Sequence, residues 1–336
     1  MTPKFVLALA CMGASALSAQ PFGRGGPQSE TVRQGQQLLR QGKVEEALAL
    51  YRQELAKTPD SPAANNAAGV ALDLLGRGSE ARVYFAKAIE TAPSPQAKAM
   101  AQRAMAMSYA FQGDCANTVK YEQPVFDYYV SVKDGYQQGE IADEAARVCI
   151  DNGDLNTAEH WYRIGYEAGL KQTDIPPERV SLWNFRWEHA QARLAARRGN
   201  LAEARKHAAA AKAVLDKDAS MAEAQSVFYP YLTGYIAFYA GDYKAALEDL
   251  QKANQTDPFI QCLMGQAYEK TGEAEKAREC YLKAAATTAH NPPAAYARPF
   301  ATRKLAPLTA TLARGNTLQP AISWTASIAP RLAAGR

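Results

Sequence analysis

Residues 28–95 repeat themselves at a shift of 34 positions, and this internal period constrains the fold more than any other feature of the sequence. The matching residue pairs are Gly35 with Gly69, Gly42 with Gly76, Ala47 with Ala81, Tyr51 with Phe85, and Pro59 with Pro93. A fixed period of this length is typical of a protein built from stacked copies of one supersecondary unit. The chain is therefore predicted to be a repeat protein.

The matched residue types predict two packed helices in each unit. Gly35 and Gly69 fall in the middle of a predicted helix, where glycine costs about 1 kcal/mol relative to alanine, so they indicate close contact between helices. A second glycine in each unit is suited to end the first helix, and a proline follows the second helix. Each unit is thus predicted to be a helical hairpin.

These residues resemble the tetratricopeptide repeat (TPR), whose pattern is W-x2-L-G-x2-Y, then A-x3-F, then P. The residues of the second unit that agree with this pattern are Gly69, Ala81, Phe85 and Pro93. Asn65 and Ala68 stand where the pattern has tryptophan and leucine. The resemblance implies an all-α fold, a right-handed α-solenoid of about seven TPR-like hairpins.

The predicted solenoid covers residues 29–286. The resemblance is strongest over 29–93 and 231–286 and irregular over 96–228, where residues 122–136 are expected to form a longer connection. The register of the hairpins follows glycines predicted to lie between the two helices of each hairpin. These glycines are Gly42, Gly76, Gly113, Gly153, Gly199, Gly241 and Gly272.

The two ends of the chain are predicted to lie outside the array. Residues 1–19 have the basic start, short apolar run and small residues of a secretory signal peptide, and residues 20–28 are expected to be a flexible leader. Export to a bacterial periplasm or secretion is therefore predicted, with a lipid anchor at Cys11 as a minor alternative. Residues 287–305 are predicted as a capping helix, and residues 306–336 as a disordered basic tail.

The charge distribution argues against a nucleic-acid partner. The formal net charge is +4, but every charged residue after Glu279 is basic. Without those residues and Lys4, the chain carries more acidic than basic side chains. The body of the protein therefore lacks the basic excess that binding to nucleic acid requires.

The sequence carries no recognised enzyme motif. It has no H-E-x-x-H, no phosphate-binding loop and no G-x-S-x-G, and its four histidines are scattered without ligand spacing. Neither catalytic activity nor a cofactor or metal is predicted. No apolar run after the signal peptide is long enough to span a membrane.

Four cysteines remain after removal of the signal peptide. Cys262 and Cys280 are predicted on the two helices of one hairpin, and Cys115 and Cys149 on neighbouring hairpins. Export permits disulfides without requiring them, because a free cysteine is also an ordinary buried residue. Cys262–Cys280 and Cys115–Cys149 are therefore both possible disulfides.

In tetratricopeptide arrays the first helix of each hairpin lines the inner, concave surface, so the resemblance assigns particular residues to a binding groove. The fourth hairpin contributes the acids Glu140, Asp143, Glu144 and Asp151. The fifth contributes a basic stripe whose spacing of three and four residues places it on one helical face, and the sixth and seventh contribute aromatic residues. The residues predicted to bind a peptide are Arg186, His189, Arg193, Arg197, Phe228, Tyr231, Tyr235, Tyr239, Phe259 and Gln266.

A basic strip beside an aromatic strip suits a protein or extended peptide with carboxylates and apolar anchors. Arginine binds a carboxylate through two parallel hydrogen bonds, and tyrosine contributes contact area at a small cost in side-chain entropy. In the alternative interpretation, the acidic and basic stripes bridge neighbouring hairpins and the aromatic residues belong to the core.

The leading functional hypothesis is a non-catalytic TPR scaffold or assembly factor in the bacterial cell envelope. The alternative is a structural module that self-associates through its irregular middle. The third hypothesis is an enzyme with an unrecognised site in the inserted segments. The sequence does not predict the oligomeric state.

Overall fold

The computed structural model describes residues 29–315 of the chain, with side chains described for residues 29–306. This part is all α-helix, without a strand. Its helices are α1 (Glu30–Arg40), α2 (Val44–Lys57), α3 (Pro62–Leu74), α4 (Gly78–Glu90), α5 (Pro95–Ala110), α6 (Cys115–Ser131), α7 (Gly135–Asn152), α8 (Leu155–Leu170), α9 (Pro177–Arg197), α10 (Leu201–Leu215), α11 (Ala219–Ala224), α12 (Phe228–Tyr239), α13 (Tyr243–Leu250), α14 (Pro258–Thr271), α15 (Ala274–Ala285) and α16 (Pro292–Gly315).

Fourteen of these helices pair as seven consecutive antiparallel hairpins, from α1–α2 to α14–α15, and each hairpin packs on the next. Helix α11 is a short insertion before the sixth hairpin, and α16 follows the seventh. The predicted all-α solenoid is therefore confirmed. The signal peptide and leader lie outside the described residues, as do residues 316–336 of the predicted tail.

Local sequence signals explain where the helices begin and end. Ser29, Ser61 and Ser94 each accept a hydrogen bond from the backbone N–H three residues on, which satisfies a free donor at the helix start. Aspartate or asparagine does the same for α6, α7, α8, α10 and α13. The glycine between the two helices of every hairpin has a positive φ, between +72° and +89°. These glycines mark the hairpins, as predicted.

The repeated glycine in the first helix allows the two helices of a hairpin to touch. A Cβ built on Gly35 would lie 2.3 Å from a ring carbon of Tyr51, and one built on Gly69 would lie 2.6 Å from Phe85. Both rings are fully buried. The glycine and the aromatic ring sixteen residues later are therefore one packing unit.

The prediction of a long connection at residues 122–136 is wrong. Helix α6 continues through Pro124 to Ser131, and only three residues separate it from α7. Proline removes one backbone donor from the helix, but packing outweighs that loss, because Glu122 and Val125 on the same helix are fully buried.

Helix α16 does more than cover the last hairpin. It packs on α14 and α15, and it also contacts α5 and α7. Arg298 donates from Nε to the carbonyl oxygen of Leu74 at 2.8 Å, and His290 Nε2 lies 2.9 Å from the Asp73 carboxylate. Residues 290–298 therefore join the C-terminal hairpin to the N-terminal hairpins across the inner face of the array. The helix also extends past residue 305, where the sequence analysis predicts the tail to begin.

One of the two possible disulfides is present. Cys115 and Cys149 form a bond with an S–S distance of 1.99 Å, which ties α6 to α7. Cys262 and Cys280 are buried and unbonded. The Cys262–Cys280 pairing is therefore not formed, and the Cys262 thiol instead lies 3.4 Å from the Ala297 carbonyl of α16.

Candidate functional site: a polar cavity on the inner face

The first helices of the fourth to seventh hairpins surround a polar cavity of about 140 Å³. Helix α7 contributes Glu140, Asp143, Glu144 and Arg147, and α9 contributes Phe185, Arg186, His189 and Arg193. Helices α12 and α14 and the segment before α12 supply most of the apolar lining. The segment Asn291 to Pro293, at the start of α16, closes one side. The cavity therefore lies between the array and its own C-terminal segment.

The ten residues predicted to bind a peptide divide into two groups. Those that line the cavity are Arg186, His189, Arg193, Phe228 and Tyr231. Those that do not are Arg197, Tyr235, Tyr239, Phe259 and Gln266. All ten are buried or half-buried. The structure thus brings half of the predicted site together, and their role in binding a peptide stays a prediction.

The remaining five predicted residues make contacts within the protein. Tyr235 and Phe259 are core residues, 0% and 2% exposed. The Arg197 guanidinium lies 5.2 Å from the centre of the Tyr239 ring. Gln266 Nε2 donates to the backbone carbonyl oxygen of Cys262 at 3.2 Å.

Helix α16 packs against Phe259, one residue of the predicted aromatic strip. The Tyr296 ring lies 5.1 Å from the Phe259 ring at a tilt of 54°, and Phe300 stacks on Tyr296 at 5.5 Å. The strip was predicted to receive a partner's apolar anchors. In this structure Tyr296 of the same chain lies against Phe259.

Ion pairs join the acidic and basic stripes between neighbouring hairpins. Arg186 of α9 pairs with Glu140 of α7, and its Nη1 lies 3.9 Å from Asp143. In the same way Arg103 of α5 forms a two-pronged contact with Glu144 of α7. The bridging role that sequence analysis gave as an alternative is therefore present.

Arg193 differs from the other cavity arginines. It is 6% exposed and donates from Nη2 to the Tyr162 hydroxyl at 2.8 Å, while its Nε has no partner. Among the described side chains it forms no ion pair with a carboxylate. Burial raises the pKa of Tyr162 to about 12, so this phenol is neutral and supplies a hydrogen bond but no charge. Arg193 therefore has no close ion pair, and its charge acts only at longer range, where it lowers the pKa of Asp143 and of Asp151.

His189 is neutral at physiological pH. Burial lowers its pKa well below the ordinary value, and the charges of Arg193 and Arg147 add to this effect. The ring hydrogen bonds to the backbone of Phe228, and its Nε2 has no partner. A neutral imidazole has one N–H donor and one acceptor nitrogen. The donor is used in the hydrogen bond to the Phe228 backbone, so Nε2 is the acceptor.

Asp143 is the least constrained carboxyl group of the cavity. Its side chain keeps 28% of its surface exposed, because it faces the cavity, and no hydrogen bond holds it. Burial raises the pKa of Asp143 to about 7, with a further contribution from Glu140 and an opposing one from Arg186. Near neutral pH the group is thus divided between its protonated and ionised forms.

Glu122 is a buried acid that sequence analysis missed. It is 0% exposed, and neither carboxylate oxygen has a hydrogen-bond partner. Burial raises the pKa of Glu122 well above its ordinary value, and Glu144 contributes, while Arg103 opposes. The signal was present in the sequence: Glu122 follows Thr118 by four residues, so it occupies the aromatic position of the A-x3-F pattern.

Among the described residues, no group of three side chains is arranged to hold a metal ion. None of helices α1 to α16, over the described residues, has the length and apolar character needed to cross a membrane.

Comparisons with known proteins agree with this architecture. Family models described as tetratricopeptide repeat match residues 32–97 and residues 260–288. The chain therefore contains tetratricopeptide repeats at both ends of the array, as predicted. No curated protein matches the chain significantly.

Two similar solved structures are tetratricopeptide repeat proteins. One is a tetratricopeptide repeat protein from Parabacteroides merdae, with 16% identity, a TM-score of 0.47, and coverage of 76% of this chain and 91% of that chain. The other is the TPR domain of P58(IPK), with 12% identity, a TM-score of 0.25, and coverage of 86% and 99%.

Proposed function

We propose that this protein is a non-catalytic, exported scaffold that binds a protein or an extended peptide through its inner face. The observation that carries the proposal is the presence of matched tetratricopeptide repeats at both ends of a seven-hairpin array. Such arrays typically bind proteins or peptides on the concave surface that the stacked repeats create. We further infer that the partner belongs to the bacterial cell envelope.

The chemistry of the inner face supports a partner that carries carboxylates and apolar groups. Among the described side chains neither Arg193 nor Arg197 forms a close ion pair: Arg193 donates to the Tyr162 hydroxyl, and Arg197 lies over the Tyr239 ring. Buried guanidinium groups favour a bound carboxylate, because they gain both charge neutralisation and hydrogen bonds. The partner would reach them at the open side of the cavity.

Helix α16 and the segment before it occupy part of the same surface. A partner that covers the aromatic strip would compete with Tyr296 and Phe300 of α16. We therefore infer that the full groove becomes available only when this segment is displaced. Weakening its attachment should then strengthen partner binding.

Export is supported by the Cys115–Cys149 disulfide. Disulfides persist in oxidising compartments such as the periplasm and are rare in the cytosol. The expected signal peptide of residues 1–19 would direct the chain to such a compartment. Expression of the full-length chain in bacteria, followed by fractionation and intact-mass analysis, tests this point. Export is refuted if the chain stays in the cytosol and its intact mass shows that residues 1–19 have not been removed.

The binding proposal is tested by capture from envelope extracts with immobilised mature protein, followed by mass spectrometry. Arg193→Lys keeps the charge but loses the planar group that binds a carboxylate, so capture should fall. Arg205→Lys is the matched control, because Arg205 is an exposed arginine on α10. Arg298→Ala should increase capture by loosening α16. The proposal fails if the folded Arg193→Lys and Arg298→Ala variants capture the same proteins in the same amounts as wild type.

A second candidate function is self-association through the middle of the array. Val130 and Val132, at the end of α6, are 48% and 51% exposed, and such apolar surface favours a contact with another chain. Size-exclusion chromatography with light scattering over a range of concentrations separates the two candidates. A mass that stays at one chain at every concentration excludes self-association.

A further inference from the structure

The polar cavity contains two groups, Arg193 and Asp143, whose charges are only weakly matched by the protein. The other charged side chains around it have partners: Arg186 pairs with Glu140, Arg103 with Glu144, and Arg147 with Asp151 at 3.2 Å. Asp143 has only the 3.9 Å contact with Arg186 Nη1, and Arg193 has no close ion pair among the described side chains, although its charge also acts on Asp151. The charge of Arg193 lowers the pKa of Asp143, so the two groups are near each other, yet they do not form an ion pair.

The unmatched cation is deeply buried. Arg193 keeps only 6% of its surface exposed, and its one hydrogen bond goes to the neutral hydroxyl of Tyr162. Removing an arginine from water without a counter-ion is expensive, which favours binding of an anion beside it. His189, on the same face of α9, adds a neutral ring whose Nε2 accepts hydrogen bonds. A ligand that carries N–H donors would satisfy this atom.

The unmatched acid is suited to a cation. The Asp143 carboxyl faces the cavity without a hydrogen bond, and the acids Glu140 and Glu144 flank it on α7. An ammonium group placed there would stabilise the ionised form of Asp143, and the negative charges of Glu140 and Glu144 would also attract it. Arg193 would therefore bind a negatively charged group, and Asp143 a positively charged group, of one small molecule.

The size and the remaining lining restrict that molecule further. A cavity of about 150 Å³ holds a molecule the size of benzene, and this one measures about 140 Å³. Its apolar lining includes Phe228, Ile260 and Pro292. A small apolar side chain would fit against this surface.

We propose that the cavity binds a free α-amino acid, with its carboxylate on Arg193 and its ammonium group beside Asp143. This ligand is distinct from the protein partner proposed above. The amino acid fits the closed arrangement, in which Asn291 to Pro293 form one side of the cavity. A peptide partner instead competes with α16. Bound amino acid therefore favours the closed arrangement and opposes partner binding.

The test uses the mature, oxidised protein and each of the twenty free L-amino acids as a probe. Thermal unfolding identifies those that stabilise the protein, and isothermal titration calorimetry measures their affinity. We expect at least one with a small apolar side chain to bind. Stabilisation by none of the twenty overturns the proposal.

Analogues of the tightest-binding amino acid test the two charges separately. The N-acetylated form lacks the ammonium group, and the amide of the carboxyl group lacks the anion. Each loses a buried charge-assisted contact, so each should bind at least about tenfold more weakly. Equal affinity of either analogue overturns the zwitterion assignment. These measurements use wild-type protein and do not depend on whether a variant folds.

The Asp143→Asn variant tests the assigned residue. It removes a charge that burial disfavours, so the folded protein should be at least as stable as wild type, while affinity for the amino acid should fall about tenfold or more. Asp127→Asn is the matched control, because Asp127 is exposed on α6 and lies outside the cavity. Unchanged affinity of Asp143→Asn would overturn the assignment. Because no partner protein is present, the outcome is independent of the binding proposal.

Discussion

The replacement Glu122→Gln should stabilise the protein at neutral pH. Glu122 occupies the position at which other hairpins have a buried aromatic ring, such as Tyr51 or Phe85. Its carboxyl group is fully buried, and both oxygens lack a hydrogen-bond partner. Burial raises its pKa well above the ordinary value, and the charge of Glu144 adds to this. The folded state therefore retains a proton that the unfolded chain releases.

The sign and the size of the effect follow from this difference in proton binding. Between the unfolded-state pKa and the raised folded-state pKa, the folded state binds more protons than the unfolded state, so the free energy of unfolding falls as the pH rises. The loss is about 1.4 kcal/mol for each pH unit in that window. Glutamine cannot ionise, so the free energy of unfolding of the variant does not fall with pH for this reason. Its advantage over wild type should grow with pH at the same rate.

Urea denaturation of the oxidised protein between about pH 5 and pH 8 measures this difference directly. The comparison of variant with wild type removes the contributions of other titrating groups, among them Asp143. Glu45→Gln is the matched control, because Glu45 is exposed on α2. The control should differ from wild type by a small amount that does not change with pH.

Two results would refute the reasoning. One is a difference between Glu122→Gln and wild type that is constant over the pH range, which would mean that Glu122 is ionised in both states. The other is a destabilised variant at neutral pH, which would mean that the carboxylate makes a stabilising contact with Arg103 instead of remaining protonated.

Three further predictions concern packing and closure. Gly69→Ala should lower the free energy of unfolding by about 1–3 kcal/mol, because the added Cβ would lie 2.6 Å from a ring carbon of Phe85. An unchanged melting temperature would contradict this prediction. Replacing both Cys115 and Cys149 with alanine should lower the free energy of unfolding by about 3.8 kcal/mol for a loop of 34 residues, and alkylation of unfolded, unreduced mature protein should label Cys262 and Cys280 and no others. Arg298→Ala removes three hydrogen bonds to backbone carbonyls and should lower the urea midpoint and expose α16 to proteases.

The hairpins could be predicted from the sequence because their determinants are local. A glycine, an alanine four residues before an aromatic ring, and a second glycine between the helices all lie within one 34-residue unit. The spacing of three and four residues likewise predicts that Arg186, His189 and Arg193 share one face of α9, and all three line one cavity. Helical periodicity was sufficient for this, because it depends only on the spacing along one element.

The burial of that face could not be predicted in the same way. It depends on α16, and the contact between Tyr296 and Phe259 joins segments that are not neighbouring repeats. Periodicity shows which residues share a face, but it does not show what lies against it. The continuation of α6 through Pro124 was missed for a related reason, since the propensity of proline to end a helix was outweighed by tertiary packing.

The attachment of α16 to the N-terminal hairpins has a consequence for biosynthesis. Open repeat arrays can fold one unit after another from the N-terminus, because each unit needs only its neighbours. Here the carbonyl group of Leu74 receives its hydrogen bond from a residue 224 positions later in the chain. The inner face of the early hairpins therefore stays uncovered while the rest of the chain is synthesised. The nascent chain therefore lacks this closing contact until Arg298 has been translated.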